Sequence, residues 1–119
     1  MMMNMIHGKV WGTTESILQN NRLEVHRLEC EAGHHCSEHL HEHKWNAFYV
    51  ESGHLVIKIW QPDSDIVDVT HLLAGESTSV APGVWHQFVV EEPTVAFEYY
   101  WSDNNSHISD DIQRRTQGA

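Results

Sequence analysis

The stretch His34-His35-Cys36-Ser37-Glu38-His39-Leu40-His41-Glu42-His43 holds five of the chain's eleven histidines. Residues two apart on a β-strand point the same way, so His39 and His41 can present two imidazoles from one face to a single point. Neutral imidazole is a common ligand for Zn, Fe, Ni and Cu, and two rings from one strand already fix much of a site. Asn46 follows His41 by an odd step of five, which on an unbroken strand would place it on the opposite face. The chain must therefore bend around His43-Lys44-Trp45, so that a new strand begins at Asn46 and carries Asn46, Phe48 and Val50 inward until Glu51-Ser52-Gly53 turns again. His86 opens a further strand directly after Pro82-Gly83-Val84-Trp85, where Pro then Gly suits a type II turn whose second central residue takes positive φ. This spacing nominates His39, His41 and His86 as metal ligands, with Asn46 as an oxygen donor beside them.

Outward from this stretch, turn signals recur at Gly33, Gly53, Pro62-Asp63-Ser64-Asp65, Gly75, Pro82-Gly83 and Glu92-Pro93, leaving segments about as long as single strands. The intervening runs, Leu55 to Trp60, Ile66 to Leu72, Ser77 to Val80, His86 to Val90 and Val95 to Trp101, are rich in β-branched and aromatic residues. No window of the middle of the chain shows a capped helical period, so helix is expected only in the tail, near Ser109 to Arg115. An all-β sandwich or jelly-roll barrel follows, since closure removes exposed strand edges.

Composition bounds the partners. The 119 residues carry 7 Lys+Arg against 17 Asp+Glu, a formal charge of −10, with 40% hydrophobic and 20% charged residues. That length suits one core and a single domain, residues 1–119. The net charge repels phosphate backbones and no apolar run approaches a membrane span, so neither nucleic acid nor membrane is an expected partner. The N-terminal MMMNMIHG lacks a basic flank, and Cys30 and Cys36 lack a Cys-x-x-Cys spacing; both point to a cytoplasmic protein with free thiols.

With these residues placed, the sequence resembles the cupin superfamily. The first cupin motif, Gly-x5-His-x-His-x3–4-Glu-x6-Gly, is met by Gly33, His39, His41, Asn46 and Gly53, with Asn in place of Glu. The second is met by Gly75, Gly83 and His86, with Ala81 where the first Pro stands and Val90 where the Asn stands. Motifs over 33–90 imply a cupin jelly-roll β-barrel, or double-stranded β-helix, around a metal pocket, and leave the chemistry open. The chain is also similar to the cupin of mannose-6-phosphate isomerase: Val10-Trp11-Gly12 resembles its Arg-Pro-Trp-Gly start, His39 to Gly53 falls on its metal strand, and Asp110-Asp111-Ile112-Gln113-Arg114 matches its Asp-Asp-Ile-x-Arg tail. His39 stands where that family has a Gln ligand, Asn46 where it has Glu.

Several side chains are candidates around the ion. His43 is a candidate base, set against an ordinary loop histidine. Glu98 is a candidate base if it points into the barrel, set against an outward solvated carboxylate. Lys44 and Arg114 are candidates for an anionic group, and Trp85, beside His86, for stacking on a sugar. The other histidines, His26 among them, carry no spacing argument. A nonspecific histidine tract is the plain alternative for the cluster, and the second motif around His86 argues against it.

Three functions remain open. One is a sugar or sugar-phosphate isomerase using a divalent transition metal (Zn, Fe, Ni or Mn) and a base that moves a proton between adjacent carbons. Another is a three-histidine Fe(II) dioxygenase, favoured by loss of the carboxylate ligand. The last is a non-catalytic module binding metal or a small molecule. The resemblance implies a homodimer.

Overall fold

The computed structural model describes residues 4–119, and all its regular structure is β. The strands are β1 (Ile6–Lys9), β2 (Gly12–Gln19), β3 (Leu23–Cys30), β4 (His39–Leu40), β5 (Trp45–Trp60), β6 (Val67–Leu73), β7 (Ser77–Val80), β8 (His86–Trp101) and β9 (Gln113–Arg114). Every pairing is antiparallel. The ladder runs β1-β2-β3-β8-β4-β9, while β5 pairs with β8, β6 and β7. This curled antiparallel arrangement is the expected jelly roll. Among the described residues no helix is long and apolar enough to cross a membrane.

The two 16-residue strands β5 and β8 pair with each other from Trp45↔Trp101 to Ile59↔His86. The first half of β5 also pairs with β7 and the second half with β6, while β8 pairs with β4 at His86 and with β3 from Thr94 to Trp101, so each long strand changes its second neighbour along its length. The sequence reading places turns at Gly53 and at Glu92-Pro93; both strands instead run on through these points. The chain bends without ending. Register irregularities fall between Val50 and Leu55, and bulges of this kind kink a strand and sharpen its twist. Gly53 adopts φ +100°, and a Cβ there would lie 2.3 Å from the carbonyl oxygen of Pro93. Thr94 closes the other side of the bend: its Oγ1 accepts from the His54 amide at 3.0 Å and donates to the Glu92 carbonyl at 2.8 Å.

The expected helix near Ser109 to Arg115 is absent. Asp110 has φ +59°, outside any right-handed helix, and the backbone that follows pairs as β9 with β4 through His39↔Arg114 and Leu40↔Gln113. The Asp111 carboxylate accepts backbone amides of the 42–44 bend. These partners, distant in sequence, win over local i→i+4 bonding.

Inward-facing residues form one apolar cluster including Trp11, Leu28, Phe48, Val50, Leu55, Ile57, Phe88, Val90 and Ala96. Trp11 packs edge-on against Phe88, ring centroids 4.9 Å apart. Asn46, Phe48 and Val50 are all buried, as the bend at residues 43–45 requires. On the last part of β8 the inward set is Ala96 and Glu98, with Phe97 and Tyr99 half-buried on the other face. The apolar interior is thus continuous with a polar end formed by His39, His41, Asn46, His86 and Glu98.

Gly53 gives a direct check of the bend. Gly53→Ala combines positive φ with backbone collision and is expected to lower the unfolding free energy by at least ~2 kcal/mol. Gly33→Ala, at φ +83° but with nothing near a Cβ, is expected to lose only ~1 kcal/mol, the conformational part alone. Urea titration of the two variants against the parent measures the difference.

Candidate metal centre

His39 and His86 face each other as register partners across β4 and β8, so their side chains leave the ladder on one face and meet. His41 follows directly after β4. Its carbonyl accepts the Gly83 amide at 2.7 Å, which ties the His41 segment to the Pro82-Gly83 turn in front of His86. Gly83 has φ +78°, as expected for the second central residue of a type II turn. The three ring centroids lie 4.4 to 5.2 Å apart, and one nitrogen from each falls within 4.8 Å of the other two.

The hydrogen bonds decide which nitrogens these are. His39 Nδ1 donates to the Ser37 carbonyl at 2.7 Å, His41 Nδ1 to the Asp111 carbonyl at 2.7 Å and His86 Nδ1 to the Val84 carbonyl at 2.9 Å. A backbone carbonyl only accepts, so each ring carries its proton on Nδ1 and presents the Nε2 lone pair. His41 Nε2 is buried with no hydrogen-bond partner. His86 Nε2 faces Asn46 Oδ1 at 3.1 Å, while Asn46 Nδ2 donates to Glu98 Oε2 at 3.3 Å. Two acceptors facing each other, and an orphaned lone pair beside them, are costly in a buried site unless a cation satisfies them.

Electrostatics keeps the rings neutral. His39 and His41 are lowered to about 3 and His86 to about 4. Burial is the largest cause for all three. Mutual repulsion adds to the lowering of His39 by His86 and His41, and of His41 by His86; the carbonyl bonds partly oppose it. Three unprotonated imidazoles, each held by a carbonyl on its other nitrogen, are the donor state a divalent transition metal requires. His39, His41 and His86 could hold such an ion, with Asn46 Oδ1 as an oxygen donor.

Of these groups His39 and His41 line a cavity of about 530 Å³, with His86 and Asn46 buried behind them. Of the remaining candidates, Lys44, Glu98 and Arg114 line it. Lys44 is buried, donates from Nζ to the Ile108 carbonyl at 3.1 Å and sits 4.0 Å above the Tyr100 ring. Glu98 is buried, and burial raises its carboxyl above the usual range against the opposing pull of Tyr100, His26, Asn46 and Lys44. His43 is not brought in: its side chain is 46% exposed at the outer bend, 3.9 Å from Glu42. Trp85 lies in a separate cleft with Trp60, and the Arg115 guanidinium packs on both indoles.

Sequence reasoning missed Glu24 and His26, which line the same cavity. His26 Nε2 and Glu24 Oε2 are 3.2 Å apart, and the His26 ring meets Tyr100 edge-on. The available signal was alternation along Glu24, His26, Leu28 and Cys30, a polar pair at the head of an otherwise buried face. It goes unread because β1 to β3 lie ahead of the segments singled out from composition.

Residues 26–102 match the family model described as a cupin domain. No curated protein matches the sequence significantly. Among solved structures, the chain is similar to the capsular polysaccharide assembling protein CapF from Staphylococcus aureus, at 17% identity and TM-score 0.76, covering 98% of this chain and 32% of that one. It is similar to oxalate decarboxylase from Bacillus subtilis at 12% identity and TM-score 0.76, covering 93% of this chain and 30% of that one. KdgF from Halomonas sp. aligns at 14% identity and TM-score 0.71, with 84% of this chain and 89% of that one covered. The chain therefore spans about a third of the CapF and oxalate decarboxylase chains, and at these identities the likeness is one of fold.

The depressed imidazoles fix the sign of the pH dependence of metal-free stability. Unfolding returns each ring to an ordinary value near 6.5, so below that pH the unfolded chain binds more protons. Stability is full above about pH 6.5 and falls as the pH drops toward the folded values of about 3 to 4. Glu98, raised in the fold, acts with the opposite sign. Chelator-treated protein should lose stability in urea between pH 6.5 and 4.5, and His86→Gln, with one fewer depressed ring, should show a shallower slope.

Proposed function

The chain belongs to the cupin domain family, and we propose that it is a divalent-metal protein whose cavity takes a small hydroxylated ligand bearing an anionic group, a sugar or sugar phosphate. His39, His41 and His86 hold the ion, with Asn46 Oδ1 beside them. The observation that carries the metal reading is the convergence of three lone pairs whose opposite nitrogens are all committed to carbonyls, one of them buried and unpartnered. Imidazoles and an amide, without a carboxylate, suit Zn, Fe(II), Ni or Cu more than Mg or Ca.

Charge placement supports the ligand class. Lys9, Lys44 and Arg114, three of the seven Lys and Arg residues, line this one cavity of a chain with net charge −10, together with the acidic Glu24, Glu98, Asp110 and Asp111; Glu24 is engaged by His26 and the Asp111 carboxylate by the 42–44 amides. Arg114 and Lys9 bind the anionic group. Lys44, held by Ile108 and Tyr100, orients hydroxyls. Glu98, with its carboxyl raised by burial and Oε2 fixed by Asn46 Nδ2, holds the proton that an aldose–ketose isomerisation has to move. When bound, a divalent ion supplies Lewis-acid polarisation of ligand oxygens. In this reading the reaction resembles that of mannose-6-phosphate isomerase. A three-histidine Fe(II) dioxygenase is the second reading, favoured by the all-neutral donor set.

Metal analysis of protein purified without added ions tests the core of this. His41→Ala and His86→Ala are each expected to weaken metal binding by at least ~10-fold, while His34→Ala leaves it unchanged. Equal loss in all three would reduce the site to a nonspecific tract. Exchange of the C2 proton of aldose 6-phosphates in deuterated water supports isomerisation, and Glu98→Gln should abolish it with metal retained. Bound iron with O₂ consumption and no exchange would favour the dioxygenase.

A further inference from the structure

His41 and Asn46 reach one point because residues 42–44 bend, and among the described residues no backbone–backbone hydrogen bond closes that bend from within. The support comes from the other end of the chain. Asp111 Oδ1 accepts the Glu42 amide at 2.8 Å, and Asp111 Oδ2 accepts the His43 amide at 2.8 Å and the Lys44 amide at 3.1 Å. One carboxylate thus binds three successive backbone N–H groups. The carbonyl of the same residue accepts His41 Nδ1 at 2.7 Å, selecting the tautomer that turns Nε2 toward His39 and His86. The rest of this segment is anchored nearby: Arg114 pairs with His39, and Arg115 bonds Glu38 through both its amide and its Nε, each at 3.0 Å.

We propose that Asp111 is the positioning residue of the metal centre, holding the 42–44 bend with its carboxylate and the His41 ring with its carbonyl. The inference rests on the metal reading above and adds to it a residue that touches no metal. Its physical basis is the narrow tolerance of a metal site: ligand atoms must fall within about 0.2 Å of their bonding distances. Three adjacent amides stripped of their acceptor seek other partners, and the bend that aims His41 and Asn46 relaxes. The backbone carbonyl survives any substitution at position 111, but its place over His41 Nδ1 depends on the carboxylate anchoring that residue.

The test is Zn²⁺ affinity of the metal-free full chain, by competition with a chromophoric chelator, together with the visible absorption of the Co²⁺ form. Asp111→Ala is expected to weaken Zn²⁺ binding by ~10–100-fold, the range for loss of groups that orient ligands, and to change the Co²⁺ spectrum. Asp111→Asn keeps one acceptor oxygen and should fall between, with β-structure retained by circular dichroism. Asp110→Asn removes the same charge one residue away and should stay within about threefold of the parent, the scale of a screened charge. Parent-like affinity and spectrum in Asp111→Asn and Asp111→Ala would overturn the positioning role. So would an equal loss in Asp110→Asn, which would make the effect one of charge. A parent chain that binds no Zn²⁺ would overturn the three-histidine reading itself and this inference with it.

Discussion

Three buried imidazoles, each giving its Nδ1 proton to a carbonyl and aiming its Nε2 lone pair at a common point, are the constraint around which this barrel is arranged. Burying three basic rings together would be untenable if they were charged, and the fold answers by holding them neutral. Desolvation does most of this, with mutual repulsion adding to it for His39 and His41. The carbonyl bonds act the other way and set the tautomer. Neutrality and orientation are separate effects here, and a metal centre needs both.

That requirement explains features of the architecture that would otherwise look accidental. The pairing of His39 with His86 puts two rings on one face without a long loop. The Gly83 amide bonded to His41 joins the third ring to the turn in front of His86. β5 and β8 run on through the bend because Gly53 lets the two backbones approach there, and their length lets apolar residues fill one part of the interior while Asn46 and Glu98 occupy another. A barrel closed at the core and polar at one end gives a cavity with a low-dielectric wall, where a fixed charge or dipole acts more strongly than in water.

The polar wall is wider than the metal ligands. Glu24, His26, Lys44, Glu98 and Tyr100 come from β3, the bend before β5, and β8, and all line the cavity. Charged groups on the inward face of a strand cost free energy unless they are paired. Here they are: Glu24 with His26, Glu98 with Asn46, Lys44 with Ile108 and the face of Tyr100. Such an array is more than a core of this size needs, which is why the cavity reads as a place where a ligand binds.

The sequence by itself determined the fold class and nominated the three histidines that the fold brings together, His39, His41 and His86. Period-two spacing at His39 and His41, the Pro-Gly turn before His86, and the odd step to Asn46 are local rules, and local rules survive into the structure. It could not determine what depended on contacts between distant residues. Gly53 and Pro93 read as turns because each breaks a strand when alone, whereas opposite one another they make a bend that both strands pass through. The tail reads as helix until Asp111 meets the 42–44 amides and β9 meets β4. His43, next to two proposed ligands in sequence, is turned outward by that bend, and His26, which no spacing rule singled out, is carried into the cavity by the β3–β8 ladder. Whether a polar side chain faces the interior is settled by strand pairing and the direction of a bend, and both belong to tertiary structure.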